Sequence, residues 1–156
     1  MTGYQKIFNS GSYVSAYAGG NFDNYASGRI DSTNEVKGGK FGAKGLLEFM
    51  LIPSPFSRVS FSSSSSMSSA FRTYFSKNSI NIYCCGLSFG PEAIFLGTKA
   101  FDQQRYGFGI SNIKFWDTKL SLSGGYLDLR TRSRFEESNN LESDGFYSSI
   151  GLSKIF

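Results

Sequence analysis

Period-two alternation of apolar and polar residues runs along nearly the whole chain, and helical periodicity is almost absent. Neighbouring residues of a strand point to opposite faces, so the two parities can be read separately. Over 40–51 one parity is Phe41, Ala43, Gly45, Leu47, Phe49 and Leu51, and the other is Lys40, Gly42, Lys44, Leu46, Glu48 and Met50. One face is uncharged throughout; the other holds three charges. The split recurs further on. Val59, Phe61, Met67, Phe71 and Phe75 oppose Arg58, Ser60, Ser62, Ser64 and Arg72; Tyr106, Phe108 and Ile110 oppose Arg105, Gly107 and Gly109; Leu120, Leu122 and Tyr126 oppose Lys119, Ser121 and Ser123.

The alternation predicts about eight strands, at 12–22, 36–51, 57–75, 79–89, 93–101, 105–115, 119–134 and 145–156. The segment from Ile52 to Pro55 holds two prolines and cannot continue a central strand. Ser76-Lys77-Asn78, Gly90-Pro91-Glu92, Asp102-Gln103-Gln104 and Trp116-Asp117-Thr118 read as tight turns. Two longer polar links run from Asp23 to Glu35 and from Glu136 to Asp144. Short connections pair neighbours in sequence, and closing the meander removes its two edges. The fold class expected is therefore all-β, an antiparallel up-and-down β-barrel of about eight strands, in one domain over 1–156.

Alternation alone does not say which face meets water. Several strands reach the roughly 9–11 residues that cross a bilayer on a tilt. Aromatic residues gather near strand ends on the apolar parity, as in interfacial girdles. The polar parity is mainly Ser and Gly, thinly charged for a soluble surface. These features predict a transmembrane barrel, apolar side to lipid and polar side to the lumen. A soluble barrel holding a hydrophobic ligand, and a β-sandwich coat or filament subunit, are the alternatives.

Composition fits this picture: 156 residues with 18 Gly, 16 Phe, 9 Tyr and only 3 Pro. The net charge of +4 is dispersed among apolar residues, which argues against nucleic acid as a partner. No apolar run approaches the length of a transmembrane helix. Met1 to Asn9 lacks the apolar core of an export signal, so either none was present or this is a mature form. Cys84 and Cys85 are adjacent, and in a strand they would point to opposite faces, poorly placed to bond to each other.

The last segment, Gly145 to Phe156, has Phe146, Ile150, Leu152 and Phe156 at alternate positions and ends on an aromatic residue. It resembles the closing strand of bacterial outer-membrane β-barrels, though Lys154 and Ser148 depart from the pattern. The resemblance implies that these four residues form an assembly signal, read by the outer-membrane assembly machinery. It also implies an outer-membrane location with membrane lipid as partner. Mitochondrial and plastid outer-membrane barrels, made without a cleaved export signal, are the alternative setting.

With no His, Ser-His-Asp hydrolysis and most metal chemistry are excluded. No catalytic constellation, metal site or cofactor is expected. The polar lumen-facing residues expected are Lys40, Lys44, Glu48, Arg58, Arg72 and Arg105, with Glu48 paired to Lys44. Arg130, Arg132 and Arg134 continue the apolar parity of their strand. They belong beyond the hydrocarbon, as a solvated edge or a candidate anion rim, since Arg matches phosphate in a two-point contact. The function expected is structural or adhesive, or a narrow passage favouring anions. Eight strands leave an interior nearly filled by side chains.

Overall fold

A computed structural model of the chain describes residues 1–25, 38–54, 56–98, 101–131 and 142–154. These form one sheet of nine antiparallel strands in sequence order: β1 (Thr2–Ile7), β2 (Tyr13–Tyr25), β3 (Gly38–Leu51), β4 (Val59–Ser68), β5 (Thr73–Cys84), β6 (Leu87–Gly97), β7 (Phe101–Phe115), β8 (Thr118–Thr131) and β9 (Glu142–Lys154). Each strand pairs with the next, so the up-and-down all-β class is what forms. The count is nine instead of about eight. Among the described residues β1 and β9 are the two edges and do not pair with each other.

The extra strand is β1, whose six residues carry too little alternation to stand out. The expected strand 57–75 is two strands, split by a turn over Ser69–Arg72. Arg72 takes a positive φ of 52° there. No Gly or Pro marks this turn, and the Ser run hides it. The shift moves Lys77 and Glu92 out of expected turns and into the middles of β5 and β6. Pro91 sits within β6 because the β5–β6 ladder is interrupted beside it. Pro91 has no N–H to give, and Gly90 lies hard against the Ile80 carbonyl, where a side chain would not fit. Asp102, Gln103 and Gln104 likewise lie inside β7. Trp116-Asp117 is a turn as expected, and Cys85-Gly86 is another, with φ of 56° and 81°. Two positive φ values in a two-residue loop match the twist of a hairpin.

The turns after β1, β3, β5 and β7 share one end of the sheet. Following the register across the sheet, Val14 in β2 lines up through Phe49, Ser63, Asn78, Ala93, Tyr106 and Tyr126 with Phe146 in β9. Val14 lies at the start of the apolar parity of β2, at the short-turn end. Phe146 is the last apolar residue of that parity before Asp144, at the far end of β9. The apolar band therefore slants across the hydrogen-bonded rows, as it does where strands tilt within a barrel wall.

Candidate functional site

The two faces differ in exposure as well as chemistry. Phe41 is 81% exposed, Met67 72%, Phe108 50% and Leu47 49%, all on one parity of their strands. Ile80, Ile110, Leu122, Tyr126, Phe146, Ile150 and Leu152 are exposed on the same side. The opposite face is concave. Side chains and backbone of five successive strands, β5 to β9, line a cavity of about 160 Å3 on it, among them Ser79, Asn81, Gly109, Ser121, Ser123 and Ser149.

A glycine floor organises one half of this concave wall. Tyr147, Gly125, Gly107 and Glu92 occupy a single register row across β9, β8, β7 and β6. With no side chain at Gly125 or Gly107, the Tyr147 phenol crosses two strands and donates to Glu92 Oε1 at 2.9 Å. A Cβ at Gly107 would meet the Tyr147 hydroxyl and the Gly124 carbonyl. Glu92 is 7% exposed and pairs with Lys77 Nζ at 2.8 Å from β5. Burying a carboxylate is costly unless it is paired and hydrogen-bonded, and Lys77 and Tyr147 supply both partners. The Arg105 guanidinium stands 5.5 Å from the centre of the Tyr147 ring and is held by two hydrogen bonds to Gln103 Oε1, at 3.0 and 2.7 Å.

The other half of the wall is built from short hydroxyls. Ser62 and Ser79 meet at 2.7 Å, and Asn81 donates to both, at 3.2 and 3.3 Å. Ser64 donates to Glu48 at 3.4 Å. Asn21 donates across β3 to Ser68 at 3.0 Å and, within β2, to Asp23 at 2.6 Å.

The expected polar residues divide as follows. Lys44, Glu48 and Arg105 lie on the concave parity. Lys40 shares that parity but is exposed at the far end, its Nζ 5.9 Å from the Phe71 ring centre. Arg58 and Arg72 instead lie in turns at opposite ends of β4, both exposed. The reason is the unseen turn at Ser69–Arg72 and the late start of β4 at Val59. Glu48 takes Ser64 as its partner, and the described ion pair of the wall joins Lys77 to Glu92 in place of Lys44 to Glu48. Arg130 lies in β8, in register between Asp102 and Glu142. Arg132, Arg134 and Phe156 lie outside the described residues. Phe146, Ile150 and Leu152 are 92%, 74% and 74% exposed along the outer side of the β9 edge.

Sequence reasoning missed Lys77, Glu92 and Tyr147 as a unit. Two were assigned to turns, and the signal for the third was a pair of glycines one and two strands away.

The two cysteines also depart from expectation. Cys84 ends β5 and Cys85 opens the turn, so their sulfurs come within 3.3 Å of each other. The hydrogen bond to Cys84, which holds the proton on Cys85, pushes the Cys85 thiol above its ordinary range.

Fold and faces together define an antiparallel β-meander with an apolar convex side and a hydrogen-bonded polar concave side. The family model described as cellulose biosynthesis protein BcsS matches residues 1–156, and the chain belongs to that family. No curated protein and no solved structure matches the chain.

Proposed function

We propose that the chain is an outer-membrane β-barrel component of cellulose biosynthesis, with its apolar side in lipid and its polar wall facing inward. The observation that carries this reading is the continuous display of exposed Phe, Leu, Ile and Met on one side of successive strands. Water-exposed apolar surface on this scale marks a contact with lipid or protein. The strands that bear it are 10 to 15 residues long from β2 to β9, enough to cross a bilayer on a tilt. A soluble carrier of a hydrophobic ligand needs an apolar interior, whereas the concave wall here is Ser, Asn, Gly and paired charge.

The family description supports the tie to cellulose biosynthesis, and the dimensions favour a structural role over a conduit. A barrel of about eight strands encloses little more than its own side chains. The Tyr147–Glu92–Lys77 bridge lies along the concave wall from β9 to β5 and fills part of what room there is, which favours a structural role over passage of a glucan chain. Passage of small anions is the second reading, favoured by Lys44, Lys77 and Arg105 on the concave wall. The alternating Phe146, Ile150 and Leu152 support recognition by the outer-membrane assembly machinery.

The test is refolding with and without detergent, read by circular dichroism and size-exclusion chromatography. β-Structure and monodispersity that require detergent support the proposal; a folded monomer in plain buffer overturns it. Leu47→Arg should block insertion into vesicles, since a cation on the lipid side costs about 2–4 kcal/mol near the midplane. Lys44→Ala should insert normally. Equal tolerance of both would overturn the assignment of faces.

A further inference from the structure

Nine up-and-down strands cannot close on themselves antiparallel, because the first and the ninth run the same way. Eight can: β2 and β9 run in opposite directions. The edge of β2 that β9 would need is occupied by β1. We infer that β9 seals the sheet by taking that edge from β1, giving an eight-stranded barrel of β2 to β9 with Thr2–Ile7 as a displaced segment.

β1 is the weakest claimant. It has six residues, all exposed, against the roughly 9–11 that cross a bilayer. Its outer parity is Thr2, Tyr4 and Lys6, and Lys6 pairs with Val14 beside the apolar band. β9 has thirteen residues and carries Phe146, Ile150 and Leu152 on that side.

The slant of the apolar band sets the register. The row through Val14 arrives at Phe146. The last large apolar residue of β2 on the same parity is Phe22, eight positions further along. Bringing the two upper limits of the band level places Phe22 opposite Phe146, a stagger of eight residues around eight strands. That offset is even, so outer residues meet outer ones, and it equals the shear with which the parallel eight-stranded β/α barrel closes.

In this register β9 offers β2 what β1 now offers it. Gly3 lies beneath the Tyr17 ring, where any side chain would collide; Gly151 takes its place. Gln5 is opposite Ser15; Ser153 takes its place. Ser15 is 1% exposed and its hydroxyl has no partner among the described residues. A serine opposite it completes a rung like Ser62–Ser79 or Ser123–Ser149, the latter at 2.7 Å. On the outer side Ile150 and Leu152 come to lie beside Ala18 and Ala16.

The test uses the full chain in whichever medium keeps it folded, so it does not depend on the membrane reading. In a Cys84→Ser, Cys85→Ser background, Gly20→Cys with Ser148→Cys should give an intramolecular disulfide in most of the protein. It is seen as faster gel migration that is lost on reduction. Tyr4→Cys with Ser148→Cys should stay unlinked. The unmodified protein supplies a second readout by hydrogen exchange. Closure predicts that consecutive amides of β9 are protected while those of Thr2–Ile7 exchange quickly. A disulfide-linked dimer, a Tyr4–Ser148 link, or fast exchange at alternate β9 amides beside a protected β1 would overturn the inference. If the cysteine variants do not fold, the exchange pattern decides alone.

Discussion

The two halves of the concave wall solve one problem by opposite means. From β2 to β5 the polar parity is filled by short hydroxyls and amides that bond to the next strand, Ser62 with Ser79 and Asn81 with both. From β6 to β9, beside the Ser123–Ser149 rung, one row is cleared by Gly107 and Gly125 so that one long side chain can span three strand intervals and reach a buried carboxylate. Many short bonds spread the cost of losing any one. A single bridge concentrates it. Substitutions should therefore be graded steeply on the bridged side and shallowly on the hydroxyl side.

The largest effect is expected at Lys77→Met, which leaves the Glu92 carboxylate without its cation. Breaking a buried pair this way costs roughly 3 kcal/mol, the low end of the usual range because Lys77 itself keeps access to solvent. Denaturant unfolding reads it, and Lys77→Met with Glu92→Gln together should recover much of the loss. Gly107→Ala comes next, at about 1–3 kcal/mol, because the new methyl meets both the Gly124 carbonyl and the Tyr147 hydroxyl. Tyr147→Phe keeps the ring over the glycines and removes only the donor to Glu92. A loss of about 1.5 kcal/mol suits a hydrogen bond to a charged group. Ser62→Ala should cost least, about 0.5–1 kcal/mol, since Ser79 still accepts from Asn81. A Ser62→Ala loss as large as that at Lys77 would erase the contrast between the halves.

The seam between the halves is the Cys85-Gly86 turn, and it titrates. Because the hydrogen bond to Cys84 raises the Cys85 thiol, less thiolate is present at a given pH. Alkylation of Cys85 at pH 8 should run slower than that of a free cysteine peptide, and Cys84→Ala should speed it up. No change on that substitution would mean that the two sulfurs do not interact.

The face pattern was legible because parity survives errors in counting strands. Leu47, Phe108 and Leu122 fall on the exposed side however the turns are drawn. The turns themselves were less legible. The one at Ser69–Arg72 uses Arg72 in a left-handed conformation with neither Gly nor Pro, while Gly90-Pro91 carries the usual turn residues inside a strand. Two shifted turns were enough to hide Lys77 and Glu92. Tyr147 lay beyond any local pattern, since its partner is three strands and 55 residues away. Arg58 and Arg72 shared the right parity but sat past the strand ends, where parity no longer assigns a face.

That last separation also orders events in time. Glu92 and its lysine are near each other as soon as the hairpin of β5 and β6 forms. The phenol that completes the carboxylate's shell comes from β9, made three strands after β6. Until it arrives, the half-built wall holds a carboxylate with one partner fewer than its burial calls for. A chain truncated before β9 should therefore hold its middle hairpins less firmly than their own contacts suggest, so the docking of β9 is registered deep in the wall as well as at its edge.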